Sequence, residues 1–163
     1  MLQISVIFVC MGNICRSPAA ECIMKSIVNS EGLEDVINID SAGTIGFHAG
    51  SSPDPRMREE GLERDIQIQG SARQISEKDL NEFDIVIAMD KSNLQHLREL
   101  DKANKYNKKL KLFCDYVSKF QHSEVPDPYY GGKEGFTVVM DLLEDGCKNL
   151  LEDIKKQLKL SNN

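Results

Sequence analysis

Histidine is scarce in this chain of 163 residues, which carries only His48, His96 and His122. A histidine-rich metal centre therefore has little to build on. Cysteine does not fill the gap, because Cys10, Cys15, Cys22, Cys114 and Cys147 show no repeated metal spacing. Their odd number also argues against a disulfide framework. Basic charge is in deficit: 20 Lys and Arg stand against 26 Asp and Glu, a net charge of -6 that gives no support to nucleic acid as a partner. No apolar run is long enough to span a membrane. The N-terminal one is brief, has no charged segment before it and leads into a Gly/Asn turn, so it reads as a buried strand and not as a signal peptide. Nucleotide motifs are missing too, since neither GxGxxG nor a Gly-Lys-Ser/Thr ending occurs. The expectation is a cytoplasmic protein with no metal, no cofactor, no nucleic acid and no membrane partner.

What is present is enough for one packed core. At 40% hydrophobic residues, the length suits a single domain over 1–163, with a monomer as the expected state. Strand candidates Ile4–Val9, Val36–Ile39, Phe83–Met89 and Leu110–Phe113 alternate with helical patterns. The first helix runs from Pro18 to a break near Gly32, others cover Met57–Asp65 and Asn93–Leu100, and a long amphipathic one spans Phe136–Leu158. Between them, Ser41–Arg58 reads as a long loop. The lysines of 102–111 read as a solvated connection. This alternation predicts an α/β domain of three layers around a mainly parallel sheet, with ligand loops at the strands' C-terminal edge.

The stretch VIFVCMGNICRSPAAE, Val6 to Glu21, carries the chemistry. A strand that ends in a short turn and feeds straight into a helix aims backbone N–H groups and the helix's positive end at one small volume. Met11, Gly12, Asn13, Ile14 and Cys15 form that turn, and Arg16 supplies a planar fork for two oxygens of a tetrahedral oxyanion. The same positive surroundings favour Cys10 as a thiolate. Such a sulfur can attack phosphorus in line while Arg16 and the loop amides stabilise the equatorial oxygens, giving a phosphocysteine.

That displacement needs an acid for the leaving oxygen and then a base for water. Asp127, stiffened between Pro126 and Pro128, is the candidate for both transfers. Tyr129 and Tyr130 offer an apolar wall for an aromatic leaving group, and Phe47 offers a platform beside the pocket or an anchor for its loop. His48 reads as a surface or loop-stabilising residue. Two roles are open to Ser17, a hydrogen bond to the Cys10 thiolate or the cap of the first helix. Asn13 can brace the loop, with Ser41 behind it. Cys15 is either inert packing or the partner of a reversible, protective disulfide with Cys10. Asp90 reads as a helix cap.

With these residues in view, the chain closely resembles the low-molecular-weight protein tyrosine phosphatases. SAGT at Ser41–Thr44, PDPR at Pro53–Arg56, ARQI at Ala72–Ile75, AMD at Ala88–Asp90 and DPYYG at Asp127–Gly131 extend the similarity along nearly the whole chain. The resemblance implies a four-stranded parallel sheet flanked by helices, with an N-terminal phosphate-binding loop. It implies Cys10 as nucleophile, Arg16 as phosphate ligand and Asp127 as general acid, supported by Asn13, Ser17 and Ser41, with Cys15 as the second active-site cysteine. Substrates would be tyrosine-phosphorylated proteins or small aryl phosphates, and phosphate or other tetrahedral oxyanions would compete. Two positions depart from the pattern. Phe47 stands where a Trp or Tyr is common, and Gly70 where many relatives have a histidine that braces the loop.

Two other functions fit parts of this pattern. A thiol-dependent arsenate reductase shares the fold and anion loop, but needs further cysteines near Cys10 on a mobile segment, and none lies between Cys22 and Cys114. A non-catalytic phosphoprotein-binding module would keep the cradle without needing both nucleophile and acid.

Overall fold

The computed structural model describes residues 2–162; Met1 and Asn163, at the ends of the expected domain span, lie outside the described residues. Its first strand, β1 (Ile4–Cys10), is buried along its length except at Ser5, as suits an apolar run with a strand on either side. β2 (Ile37–Gly43) pairs with it in parallel from Ile4 opposite Ile37 to Cys10 opposite Gly43. β3 (Ile85–Ala88) pairs on the other edge, with Val6 opposite Ile85 and Val9 opposite Ala88, and β4 (Leu110–Leu112) follows it. The result is the four-stranded parallel sheet, in the order β2-β1-β3-β4.

Alternation along β1 divides the interior in two. Val6, Phe8 and Cys10 join the larger core with Ala20 and Met24 of α1 (Arg16–Ser30) and Val139, Leu143 and Leu150 of α5 (Lys133–Asn162). Ile7 and Val9 join a second core on the opposite face, with Leu80 of α3 (Glu77–Glu82) and Leu94 and Leu97 of α4 (Lys91–Leu100). Helices thus cover both faces. The chain leaves β1 for β2 on one side and returns to β3 on the other, so the order reverses at β1. In open parallel sheets, ligands bind at the C-terminal ends of strands flanking such a reversal. Here those ends are Cys10 and Ala88.

Several boundaries differ from the sequence expectation. β2 continues through Ser41, Ala42 and Gly43, which read as loop because they lack long apolar side chains. Lying beside the end of β1, they are small because little room is left there. α1 begins two residues before Pro18, and α2 (Pro55–Leu62) begins before Met57, where Asp54 accepts from the Arg56 N–H and Pro55 opens the helix. α4 starts at Lys91 with Asp90 as its cap, its carboxylate accepting from the Asn93 N–H at 2.7 Å. α5 starts at Lys133, ahead of the first apolar residue of its face.

The segment between β4 and α5 has little regular structure and is tied to α5 by Asn149, which donates to the Tyr116 carbonyl and the Ser118 hydroxyl, and by Asp145. Asp145, 8% exposed, accepts from the N–H groups of Ser118 and Lys119 at 2.7 and 2.9 Å and from the Ser118 hydroxyl at 3.3 Å. Burial pushes its acidity towards the neutral form, but the bonds from Lys119 and Ser118 outweigh it and hold the carboxyl below its usual value. Asp145→Ala should lower unfolding stability by about 1–3 kcal/mol near neutral pH in urea titrations, the cost of orphaning these donors. A carboxyl depressed by folding contributes fully above the unfolded value of about 3.9 and loses that contribution as pH falls through the folded value, so the gap between wild type and variant should narrow in acid.

Candidate active site

The turn between β1 and α1 folds tightly over the end of β2. Gly43 makes this possible: a Cβ there would lie 2.7 Å from the Met11 carbonyl oxygen and 3.1 Å from the Gly12 carbonyl carbon. The Thr44 N–H reaches the Cys10 carbonyl and the Ile45 N–H that of Met11, stitching the turn to the chain leaving β2. Close approach, and not flexibility, explains this glycine. Asn13 takes the left-handed conformation at φ 57°, which asparagine tolerates better than most residues. In that conformation its N–H points back at the Cys10 Sγ, 3.3 Å away.

A second group reaches the same sulfur. The Ser17 hydroxyl lies 3.0 Å from the Cys10 Sγ and accepts from the Asn13 side-chain amide at 2.8 Å. Ser17 is buried in the first turn of α1 and caps nothing; the cap position belongs to Cys15, which makes no side-chain capping bond. The Asn13 amide also donates to Ser41 at 3.0 Å, and its oxygen accepts from the Arg73 N–H at 3.0 Å. Ser41 in turn donates to Glu21.

Arg16 is 2% exposed. Its Nη1 donates to Asp90 Oδ2 at 2.7 Å and to the Val125 carbonyl at 3.0 Å, while Nη2 lies 3.6 Å from Asp127 Oδ2. Burial opposes its charge, but Cys10, the Asp90 hydrogen bond and the Asp90 and Asp127 carboxylates together hold the guanidinium above the ordinary arginine value. Asp90 thus has two tasks, one oxygen capping α4 and the other gripping Arg16. Asp127 also accepts from the Tyr129 N–H at 3.1 Å. Arg56 ties this loop to α2 by donating to the Tyr129 carbonyl at 3.1 Å, with its guanidinium over the Tyr129 and Phe136 rings.

These elements line one cavity, to which Cys10, Gly12 and Arg16 contribute from the turn and Asp127, Tyr129 and Tyr130 from the segment before α5. Met11, Ile14 and Cys15 complete the turn around it. Phe47 stands outside this lining, 84% exposed, its ring edge-on to His48 at 5.0 Å. His48 lines the cavity in its place and crowds Gly12, where a Cβ would meet the imidazole at 3.0 Å. Tyr129 and Tyr130 meet edge to face at 5.0 Å, and both are exposed, Tyr130 the more so. Cys10 and Cys15 are both free thiols on this cavity. Burial pushes the Cys15 thiol up, reinforced by Asp54, Cys10 and Asp127, so Cys15 is held protonated. Among the described residues no group of His, Cys, Asp and Glu is arranged to hold a metal ion, and no helix is long and apolar enough to cross a membrane.

The sequence reading missed Glu21, His48, Arg56, Arg73 and the second task of Asp90. Asp90 alone had an available signal, as a carboxylate at the C-terminal end of a strand next to β1.

Comparison with known proteins places the chain in a family. The family model for low molecular weight phosphotyrosine protein phosphatases matches residues 5–160. A chain from Synechocystis that carries this family's name is 51% identical over 153 residues, covering 94% of this chain and 98% of its own. The low molecular weight protein-tyrosine-phosphatase YfkJ of Bacillus subtilis is 44% identical, covering 97% of this chain and 100% of its own. A protein tyrosine phosphatase from Entamoeba histolytica, solved with Hepes in its active site, superposes with a TM-score of 0.90 at 40% identity, covering 95% of this chain and 99% of that one. The chain therefore belongs to the low molecular weight phosphotyrosine protein phosphatase family, and its activity is that of a protein-tyrosine phosphatase.

Proposed function

We propose that the chain hydrolyses phosphotyrosine and small aryl phosphate monoesters in two displacements at Cys10, acting as a monomeric single domain over 1–163 in a reducing, cytoplasmic setting. The observation that carries this reading is the convergence of Cys10, Arg16 and Asp127 on one cavity. The sulfur accepts from the Asn13 N–H at 3.3 Å and lies 3.0 Å from the Ser17 hydroxyl, two groups placed to donate to a thiolate. Tyrosine-phosphorylated proteins are the substrate class, Tyr129 and Tyr130 flank the aryl group, and inorganic phosphate and other tetrahedral oxyanions compete. The Hepes found in the Entamoeba relative is a sulfonate, an oxyanion of the same shape.

In the first step, phosphate occupies the turn and takes the N–H groups of Arg16 that Asp90 and Val125 leave available. Asp127, no longer drawn to Arg16, turns to the leaving oxygen. The Cys10 sulfur forms the S–P bond as the P–O bond to the aryl group breaks, and protonated Asp127 gives that oxygen its proton. In the second step, Asp127 takes a proton from water, the water oxygen bonds to phosphorus, and the S–P bond breaks. Ser17 donates to the departing thiolate, and Arg16 with the turn's amides stabilises equatorial charge in both steps.

Three variants test the assignment with reduced protein and para-nitrophenyl phosphate or phosphotyrosyl peptides. Cys10→Ser should abolish turnover. Arg16→Ala should lose about 100- to 1,000-fold in kcat/KM. Asp127→Ala should lose about 100- to 10,000-fold, most for poor leaving groups. Equal activity in all three would reject the mechanism. Gly43→Ala should lower kcat/KM at least about tenfold with the sheet intact by circular dichroism, because a methyl there displaces the Met11 and Gly12 backbone. Wild-type rates in that variant would show that the turn tolerates displacement.

A further inference from the structure

The position of Gly70, where the family pattern has a histidine, is open. Gly70 sits at φ +139°, a conformation that L side chains rarely adopt, and a Cβ built on it would meet nothing within 4 Å. The turn is braced from elsewhere. We propose that Glu21 is a positioning residue of the phosphate loop, holding Ser41 and through it the Asn13 amide that orients the Ser17 hydroxyl towards Cys10. This rests on the phosphatase reading of the same site.

Counting protons along the network gives its direction. The Arg73 N–H can only donate, so the Asn13 atom it meets is the carbonyl oxygen and the amide nitrogen faces the serines. That nitrogen has two hydrogens, one for the Ser17 oxygen at 2.8 Å and one for the Ser41 oxygen at 3.0 Å. Each serine then has a single proton to pass on. Ser41 gives its proton to Glu21 Oε1 at 2.6 Å. An ionised carboxylate only accepts, so the direction of this bond is fixed. With Cys10 ionised, as the phosphatase reading requires, the Ser17 proton goes to the sulfur at 3.0 Å in preference to the Ala42 carbonyl at 3.4 Å. Donation runs outward from one amide to two anions, the thiolate at one end and Glu21 at the other.

Glu21 is well placed to hold its end. It lies one helical turn beyond Ser17 on α1, its side chain is 14% exposed, and its other oxygen is paired with Lys25. Without it, the Ser41 hydroxyl loses its acceptor and turns towards the Asn13 oxygen, competing with Arg73. The amide that holds Ser17 is then free to tilt, and with it the left-handed residue whose N–H reaches the sulfur.

The test compares wild type, Glu21→Ala, Glu21→Gln and Ser41→Ala. Cys10 alkylation by iodoacetamide is followed against pH by peptide mass spectrometry, alongside kcat and KM for para-nitrophenyl phosphate and thermal unfolding. The two accounts of Glu21 differ in sign. As a spectator anion, its removal would ease thiolate formation and move the alkylation profile to lower pH. As a positioning residue, its removal moves the profile of Glu21→Ala upward by about half a unit to one unit and lowers kcat about three- to tenfold, with KM little changed. Gln keeps an acceptor oxygen and restores part of both. Ser41→Ala reproduces the Ala effect, and the double variant adds little to either. A profile in Glu21→Ala or Ser41→Ala that stays put or moves down, in folded protein, overturns the proposal. Alkylation needs no turnover, so a wild type without phosphatase activity would sink the mechanism proposed above while leaving this outcome readable.

Discussion

A guanidinium that is 2% exposed must have its charge answered from within the protein, and the arrangement around Arg16 does this. Asp90 takes one edge at 2.7 Å, the Val125 carbonyl supports the same nitrogen, and Asp127 approaches the other at 3.6 Å. The partners come from two distant parts of the chain, Asp90 from the end of β3 and Val125 with Asp127 from the segment before α5. Asp90 needs β3 to end beside β1, Val125 needs the segment before α5 to return over the sheet, and Arg16 needs α1 to begin as soon as the turn is complete. The Val125 N–H bonds to the Met89 carbonyl, so the returning segment is fixed to the end of β3 by main chain as well. What remains of the fork is presented to the cavity.

The second requirement is a sulfur surrounded by hydrogen-bond donors, and here no base supplies them. Among the described residues no histidine hydrogen-bonds to Cys10; His48 lines the cavity and packs against Gly12. Donors do the work instead, the Asn13 main chain and the Ser17 hydroxyl, both fixed by the turn's shape. That shape depends on glycine beneath it and asparagine within it. It also depends on the serine of β2, a strand residue whose position is set by its pairing with Phe8. The sheet therefore positions the chemistry directly, through Ser41 and Gly43, as well as by carrying Cys10 at the end of β1.

Much of this was legible in the sequence because it is local. Cys10, the turn and Arg16 are contiguous, and Asp127 announces itself between two prolines. The alternation of apolar strands and periodic helices gave the three layers and the parallel sheet. The missed features depend on pairs distant in sequence: Arg16 with Asp90 is separated by 74 positions, Asn13 with Arg73 by 60 and Ser41 with Glu21 by 20. No periodicity reports such contacts. The end of β2 was missed for a different reason, since a strand that must pass under a tight turn is built of Ser, Ala and Gly and so lacks the branched side chains that mark strands. Phe47 and His48 exchanged places for a third: a bulky apolar ring suggests a wall, but loop geometry decides which neighbour faces the cavity.

The central claim is that the sulfur of Cys10 becomes covalently phosphorylated during turnover. Phosphotyrosyl peptide bearing labelled phosphate, mixed with reduced wild-type protein and quenched within the first turnover, should leave label on the enzyme. Peptide mapping should find it on Cys10 alone, decaying at the rate of phosphate release. Label on any other side chain, or phosphate released with no labelled enzyme formed, would contradict the account.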